Sequence, residues 1–415
     1  MMIDRRAFLA RGLGLATVSA LVPRFGIAGA KFFEESIEAA ADRVLVVLEL
    51  AGGNDWLNTV VPYTDAAYYT LRPTLNVSAS SVLDLDGRLG LNPVMGSLKS
   101  LWDAGRVGIV QGVAYPNPNL SHFTSRDIWH TADPRLAERR GWLGRWADVS
   151  LAGTNNPLSA CAISQSLPRT LLSDDVVIPS FTSLNAYSYA TDGANPADAQ
   201  NQIDAFIAQS SLEYETPTAV ARVGSTARDA QSSSVQLRQL SAAYTPSVTY
   251  PNTSLASALR LCAQIISGGI GTQILYVTYG GFDNHSAQRS DHDDLLRNVS
   301  DAVKAFFDDL DAKNKSRNVL LMTWSEFGRR PGENGSRGTD HGTSGVHFLV
   351  GHGVNRGIYG ERPDLTALDR NGNLSWQIDF RSYYGSVLQD WMRADSSAIL
   401  GPGYANLGCV NRNFA

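Results

Sequence analysis

Apolar residues along the chain fall into short continuous runs that end in glycine and then in charge. Val44–Leu50 (VLVVLEL) is such a run, and it stops at AGGNDW, placing Asn54 and Asp55 just past a strand end. A strand that is apolar at nearly every position has both faces covered, as in a parallel sheet. Arg106–Tyr115 (RVGIVQGVAY) predicts a second strand. The Pro- and Asn-rich PNPNLSHFTSRDIWHTA behind it predicts a loop entering a helix near Ser121. Thr272–His285 (TQILYVTYGGFDNH) repeats the pattern of strand, glycines, then Asp283 and His285. Ser290–Ala312 predicts an amphipathic helix, and Asn318–Arg330 (NVLLMTWSEFGRR) another strand ending in charge. After it come a glycine-rich loop (PGENGSRGTDHGTSG), a final strand (VHFLVG) and a closing helix at Phe380–Met392.

Strands alternating with helices predict an α/β fold with a mainly parallel central sheet flanked by helices. Between about residues 151 and 252 the texture changes to Ser, Thr, Ala and Asn with weak strand signals, which predicts an inserted helical or irregular subdomain outside the core. Residues 31–415 are expected to form one domain around that insertion.

The first 30 residues have a different character. Arg5-Arg6, then Phe8 and Leu9, a mildly apolar run over Gly12–Val22, and Ala28-Gly29-Ala30 together predict a twin-arginine (Tat-type) signal peptide with an A-x-A cleavage site. This implies export of an already folded protein to the periplasm or beyond, with the Tat machinery as a partner. No later apolar run reaches the ~20 residues of a membrane span.

Charge and cysteine usage narrow the function. Residues 1–30 hold one Asp and four Arg, so removing their +3 takes the overall −5 to −8. An acidic protein lacks the positive field that nucleic acid or an anionic membrane surface requires. Three cysteines exclude a disulfide scaffold, although one pair could form after export.

Ligands of open parallel sheets collect beyond the carboxyl ends of the strands. Asp55, Ser121/His122, Asp283/His285, Glu326 and Asp340/His341 all fall at such ends or in the loops beyond them. Asp283 and His285 flank one residue, so in an extended segment their side chains share a face. Carboxylates with imidazoles suit Zn, Mn or Fe, and a carboxylate-rich subset suits Mg or Ca, as one or two divalent ions. Glu326 has a second reading, as ion-pair partner of Arg329 or Arg330. Arg329, Arg330 and Arg337 are candidates for binding an anionic substrate, with surface solubility as the competing reading. His347 reads as a buried strand residue, and Trp129 and His130 as helix packing.

Taken together, the signal, LAGGNDWLNTVVPY, SHFTSRDIWHTA, GGFDNH, WSEFGRR, GTDHGTSG and DFRSYYGSVLQDWM resemble the Tat-exported bacterial family called domain of unknown function 1501. That family looks like a distant branch of the alkaline phosphatase and sulfatase superfamily. The resemblance implies an alkaline phosphatase-like sheet, usually two metal ions, and a nucleophile opening a helix. It matches Asp55 to the Asp that ends the first strand and holds one metal. Asp283 and His285 match the pair for the other metal, with His292 as a substitute, and His341 matches a later loop histidine. Glu326 stands where that superfamily has Asp in Ser-Asp-His-Gly, and Phe327 where it has the His. Asp340-His341 is also readable as a displaced copy of that pair. One site (Asp283, His285, His341) is thus expected intact and a second (Asp55, Glu326) short of a ligand.

Ser121, at a helix entry, is the expected catalytic nucleophile, with a helix N-cap as its competing reading and Thr124, Ser125 and His122 as competing residues. No Cys-x-Pro-x-Arg or Ser-x-Pro-x-Arg stretch is present, which disfavours a formylglycine sulfatase. The expected function is an exported metal-dependent hydrolase of phosphate or sulfate esters, acting on a small anionic ester or a polysaccharide-linked one. The alternative is a non-catalytic binding or assembly protein on the same scaffold. If a site forms, the five groups Asp55, Asp283, His285, Glu326 and His341 should converge, and crowding should raise the carboxylate pKa values.

Overall fold

Seven of the eight residues of β1 (Val44–Ala51) are buried, because this strand lies inside an eight-stranded sheet. The computed structural model describes residues 43–154, 156–184, 191, 196–211 and 219–414. The expected signal segment falls outside the described residues. Besides a small three-stranded sheet of Val60–Val61, Leu83–Asp84 and Gly90–Leu91, the other strands are β2 (Val107–Ala114), β3 (Ala160–Ile163), β4 (Ile274–Gly280), β5 (Val319–Trp324), β6 (Gly328–Glu333), β7 (Thr339–Gly342), β8 (Gly345–Val350), β9 (Gly357–Tyr359) and β10 (Ile378–Asp379). The main sheet runs β9-β2-β8-β5-β1-β4-β3, with β10 also paired to β2.

β1 lies parallel to both β4 and β5, with Leu48 opposite Val277 and Thr323. Only β8 runs against its neighbours, β5 and β2. The sheet is therefore mixed but mostly parallel. The carboxyl ends of β1, β2, β4 and β5 share one edge, and the start of β8 lies there too.

Side chains alternate across a strand, so β1 feeds two cores. Val46, Leu48 and Leu50 pack with Leu259, Cys262, Phe306 and Phe307, from helices α6 (Ser254–Ser267) and α7 (Gln288–Ala312). These two are numbered after α1 (Gly96–Asp103), α2 (His122–Thr131), α3 (Trp142–Ser150), α4 (Pro196–Ser210) and α5 (Ala219–Ala243). Leu45 and Val47 face the opposite core, with Trp129 of α2, Trp142 of α3 and Tyr384 of α8 (Phe380–Asp390). Trp129 stacks on Trp324 at 5.6 Å and 8°, which seats α2 under the exit of β5. Among the described residues no helix is long and apolar enough to cross a membrane. Cys161, Cys262 and Cys409 are buried free thiols.

Four expectations need correction. The strand expected over Asn318–Arg330 ends at Trp324, and a new strand, β6, starts at Gly328. β6 folds back on β7, with His341 opposite Arg329, so most of the expected glycine loop is a hairpin. VHFLVG is not the final strand, because β9 and β10 follow it onto β2. The stretch expected outside the core supplies edge strand β3, and Leu158, Cys161 and Leu237 are fully buried in the core.

Candidate metal centre

Bare backbone lets the strand exits meet. Gly52 and Gly53 follow β1 with φ of 122° and 80°, a left-handed backbone that strains any side chain. A Cβ on Gly52 would lie 2.5 Å from the Asp283 nitrogen, and one on Gly53 2.4 Å from the Phe327 ring. In the β6–β7 turn, a Cβ on Gly338 would lie 2.3 Å from the His285 carbonyl oxygen. These contacts draw the ends of β1, β4 and β5 and the hairpin against one another.

Three imidazoles converge there on one carboxylate. The Nε2 atoms of His285 and His341 lie 3.0 and 3.1 Å from Asp283 Oδ1 and 3.0 Å from each other. His122, the first residue of α2, places its Nε2 3.3 Å from Asp283 Oδ2. One ligand atom from each of His122, Asp283 and His341 fits within 4.8 Å of the others. Behind the rings, His122 donates its Nδ1–H to Glu326 Oε1 (2.8 Å), and His341 donates its own to the Leu120 carbonyl (2.8 Å). A carbonyl and an ionised carboxylate only accept, so in the neutral rings both Nε2 atoms carry lone pairs toward the common point. His285 Nδ1 lies 3.6 Å from Asp340 Oδ1.

Backed imidazoles of this kind are the usual arrangement of metal-binding histidines. The His122 Nε2 is buried and makes no hydrogen bond, as expected of a lone pair kept for an ion. The residues fit Zn, Mn or Fe, with ligand atoms ~2.0–2.2 Å from a zinc ion. Phe327 cannot coordinate. Its ring packs 4.5 Å from His341 and 4.9 Å from His122, walling the two ligands in place.

The charge balance differs from the expectation. Burial works against the Asp283 charge, but the hydrogen bond from the Arg329 guanidinium outweighs it and lowers its pKa. Asp340 is lowered first by the hydrogen bond from Asn334. The expected raised carboxylates are therefore absent at both, because fixed donors offset the crowding. His122 is raised by its bond to Glu326, whereas burial lowers His341.

The sequence profile of the family described as "Protein of unknown function (DUF1501)" matches residues 111–393, which include all three histidines, Asp283 and Glu326. The chain belongs to the DUF1501 family. No curated protein matches it. Among solved structures, PsFucS1 sulfatase from Pseudoalteromonas sp. is 11% identical, covering 94% of this chain and 78% of that one with a TM-score of 0.40. Ps i-CgsB, solved with k-i-k-neocarrahexaose, is 10% identical over 88% and 75%, TM-score 0.38. Alkaline phosphatase from the Antarctic bacterium TAB5 is 10% identical over 76% and 94%, TM-score 0.31. Likenesses this distant carry no argument about chemistry.

In this DUF1501 protein several expected site residues stand elsewhere. Asp55 is buried and accepts two hydrogen bonds from Arg72, at 2.6 and 2.8 Å, and one from Gln288 at 2.5 Å. Burial opposes its charge, yet the Arg72 guanidinium lowers its pKa. Both oxygens are committed, so Asp55 faces a guanidinium and not the histidine cluster. Glu326 is not a ligand of that site but the partner of His122, and both its oxygens also accept from the Gly52 nitrogen. His292 bonds Asn54 at 3.1 Å, away from the cluster.

Arg329, expected to bind substrate, is buried and spends its nitrogens on the carbonyls of Gly52, Gly53, Phe282 and Thr339 and on Asp283. It fixes Asp283 instead. Arg330 lies 3.8 Å from Asp340, and Arg337 is exposed in the hairpin turn. Ser121 caps α2, exposed, its side chain making no capping bond. Ser125 is buried and bonded to the Glu326 carbonyl at 2.5 Å. His122 was read from the sequence as a strand-end candidate and competing nucleophile, not as a candidate ligand, and Arg72 as a cation was missed. A histidine opening a helix behind a strand was a usable signal for the first; Arg72 had none.

Proposed function

We propose that this DUF1501 protein is a metal-dependent hydrolase of phosphate or sulfate esters, acting outside the cytoplasm. One observation carries the reading: His122, His285 and His341 aim their Nε2 atoms at Asp283, with hydrogen-bond acceptors fixing the first and last. A divalent ion held there supplies Lewis-acid polarisation of an ester oxygen. Glu326 and the Leu120 carbonyl keep the proton on Nδ1 of their histidines, and Arg329 holds Asp283 ionised. Ser121, at the first turn of α2 and next to a ligand, is the proposed nucleophile, where helix N–H groups favour an anion.

Commitment of Asp55 to Arg72 favours one ion over two, and it also supports a second reading, a binding protein that holds an ion without turnover. Elemental analysis of the purified protein, then a panel of aryl phosphates, diesters and sulfates, separates these. One ion with turnover is the expected result. One ion without turnover leaves the binding protein, and a chain that takes up no ion sinks both.

A further inference from the structure

Helix α2 brings more than His122 to the edge of the sheet. Arg126 follows it by four residues, which is about 6 Å along the axis and the same helix face. Its Nε donates to Glu49 Oε1 at 2.7 Å. Glu49, near the exit of β1, is fully buried, and its other oxygen accepts from the Tyr276 hydroxyl (2.8 Å) and Thr278 Oγ1 (3.0 Å). The carboxylate is thus satisfied through a single nitrogen of the guanidinium. Nη1 and Nη2 of Arg126 bond nothing among the described residues, and its side chain is 40% exposed. Arg72 and Arg329, by contrast, are almost wholly buried and spend their forks on the protein.

We propose that Arg126 is a specificity-determining residue that seats the terminal oxygens of a tetrahedral anionic ester, phosphate or sulfate, beside the His122–Asp283–His341 centre. The proposal rests on the metal reading above. A guanidinium held by its Nε keeps two parallel N–H donors pre-aimed, and a planar fork matches two oxygens of one tetrahedral anion. Anchoring by a buried carboxylate removes most of the side-chain freedom that binding would otherwise cost. Burial works against the Arg126 charge, but Glu49 outweighs it and raises the pKa, so the fork stays cationic across the working pH range. The ester's remaining oxygen is then free to face the ion. A neutral ester offers the fork no anionic oxygens and would be disfavoured.

The test uses full-length protein loaded with zinc, inorganic phosphate and sulfate as probes, and titration calorimetry. Elemental analysis is run on the same samples. Arg126→Lys keeps a positive charge against Glu49 but has no planar fork. Since loss of that charge alone could unfold the protein, Arg126→Gln is made together with Glu49→Gln. Both variants are expected to hold as much zinc as the wild type and to bind phosphate at least about tenfold more weakly, the loss of a charge-assisted contact. Equal phosphate affinity in both variants overturns the proposal and leaves the metal reading standing. So does a zinc-loaded wild type that binds neither anion. Loss of zinc from the variants also overturns it, since Arg126 would then act through the helix. A wild type that takes up no zinc removes the metal reading, and the proposal with it.

Discussion

Replacing Glu326 by Gln removes one negative charge and almost no volume, so it isolates the hold on His122. The carboxylate is 1% exposed, takes the Gly52 N–H at 2.9 and 3.1 Å, and takes the His122 Nδ1–H at 2.8 Å. Oε1 alone faces both donors, so a carboxamide with its oxygen there keeps both bonds but loses the negative charge behind the imidazole. With the amide turned the other way, its NH2 faces Nδ1 and drives the imidazole proton to Nε2, which removes the lone pair from the cluster. Loss of such an outer partner typically weakens metal affinity about 10–100-fold, which is about 1.4–2.7 kcal/mol. Competition against a chromophoric zinc chelator at constant pH measures this, with thermal melting as the control for folding. A Glu326→Gln protein that melts like the wild type and binds zinc within about threefold of it would refute the assignment of His122 as an oriented ligand.

Two further outcomes follow from buried charge away from the centre. His347 is fully buried, neither ring nitrogen has a partner, and burial pushes its pKa down to about 3. The folded pKa lies below the unfolded one of about 6.5, so between these values the unfolded chain takes up a proton that the folded chain refuses. Acidification across that window should therefore cost up to about 5 kcal/mol. His347→Phe, set against Tyr383 and Trp129, should flatten the melting temperature against pH, and equal slopes in both proteins would contradict the argument. Arg72→Met should destabilise by about 3–5 kcal/mol by stranding the Asp55 carboxylate, with much of the loss regained when Asp55→Asn is added. Denaturant unfolding reads both, and an Arg72→Met protein as stable as the wild type would show that Asp55 is not held by that pair.

The apolar runs Val44–Leu50, Arg106–Tyr115 and Thr272–Tyr279 were legible as strands because burial on both faces demands uninterrupted hydrophobicity. The ends of those runs were legible too, since glycine followed by charge cannot continue inside a packed sheet. Chain reversal at Gly328 was not. β6 reads polar, and its pairing with β7 depends on Arg329 being buried under the strand exits. The edge position of β3 was equally hidden, because a four-residue strand becomes visible only beside β4.

The centre divides along the same line. Residue type and position after a strand identified Asp283, His285 and His341 as candidates, and those are local properties. Asp55 carries the same local signal: AGGND after β1 and YGGFD after β4 are near copies. Their fates are opposite. Asp55 is closed off by Arg72, whereas Asp283 is gripped by Arg329 on one side and left about half exposed among three imidazoles. A short stretch of chain sets backbone shape and periodicity. Which cation reaches a carboxylate is set by residues 17 positions away in one case and 46 in the other, and only the packed sheet brings them together.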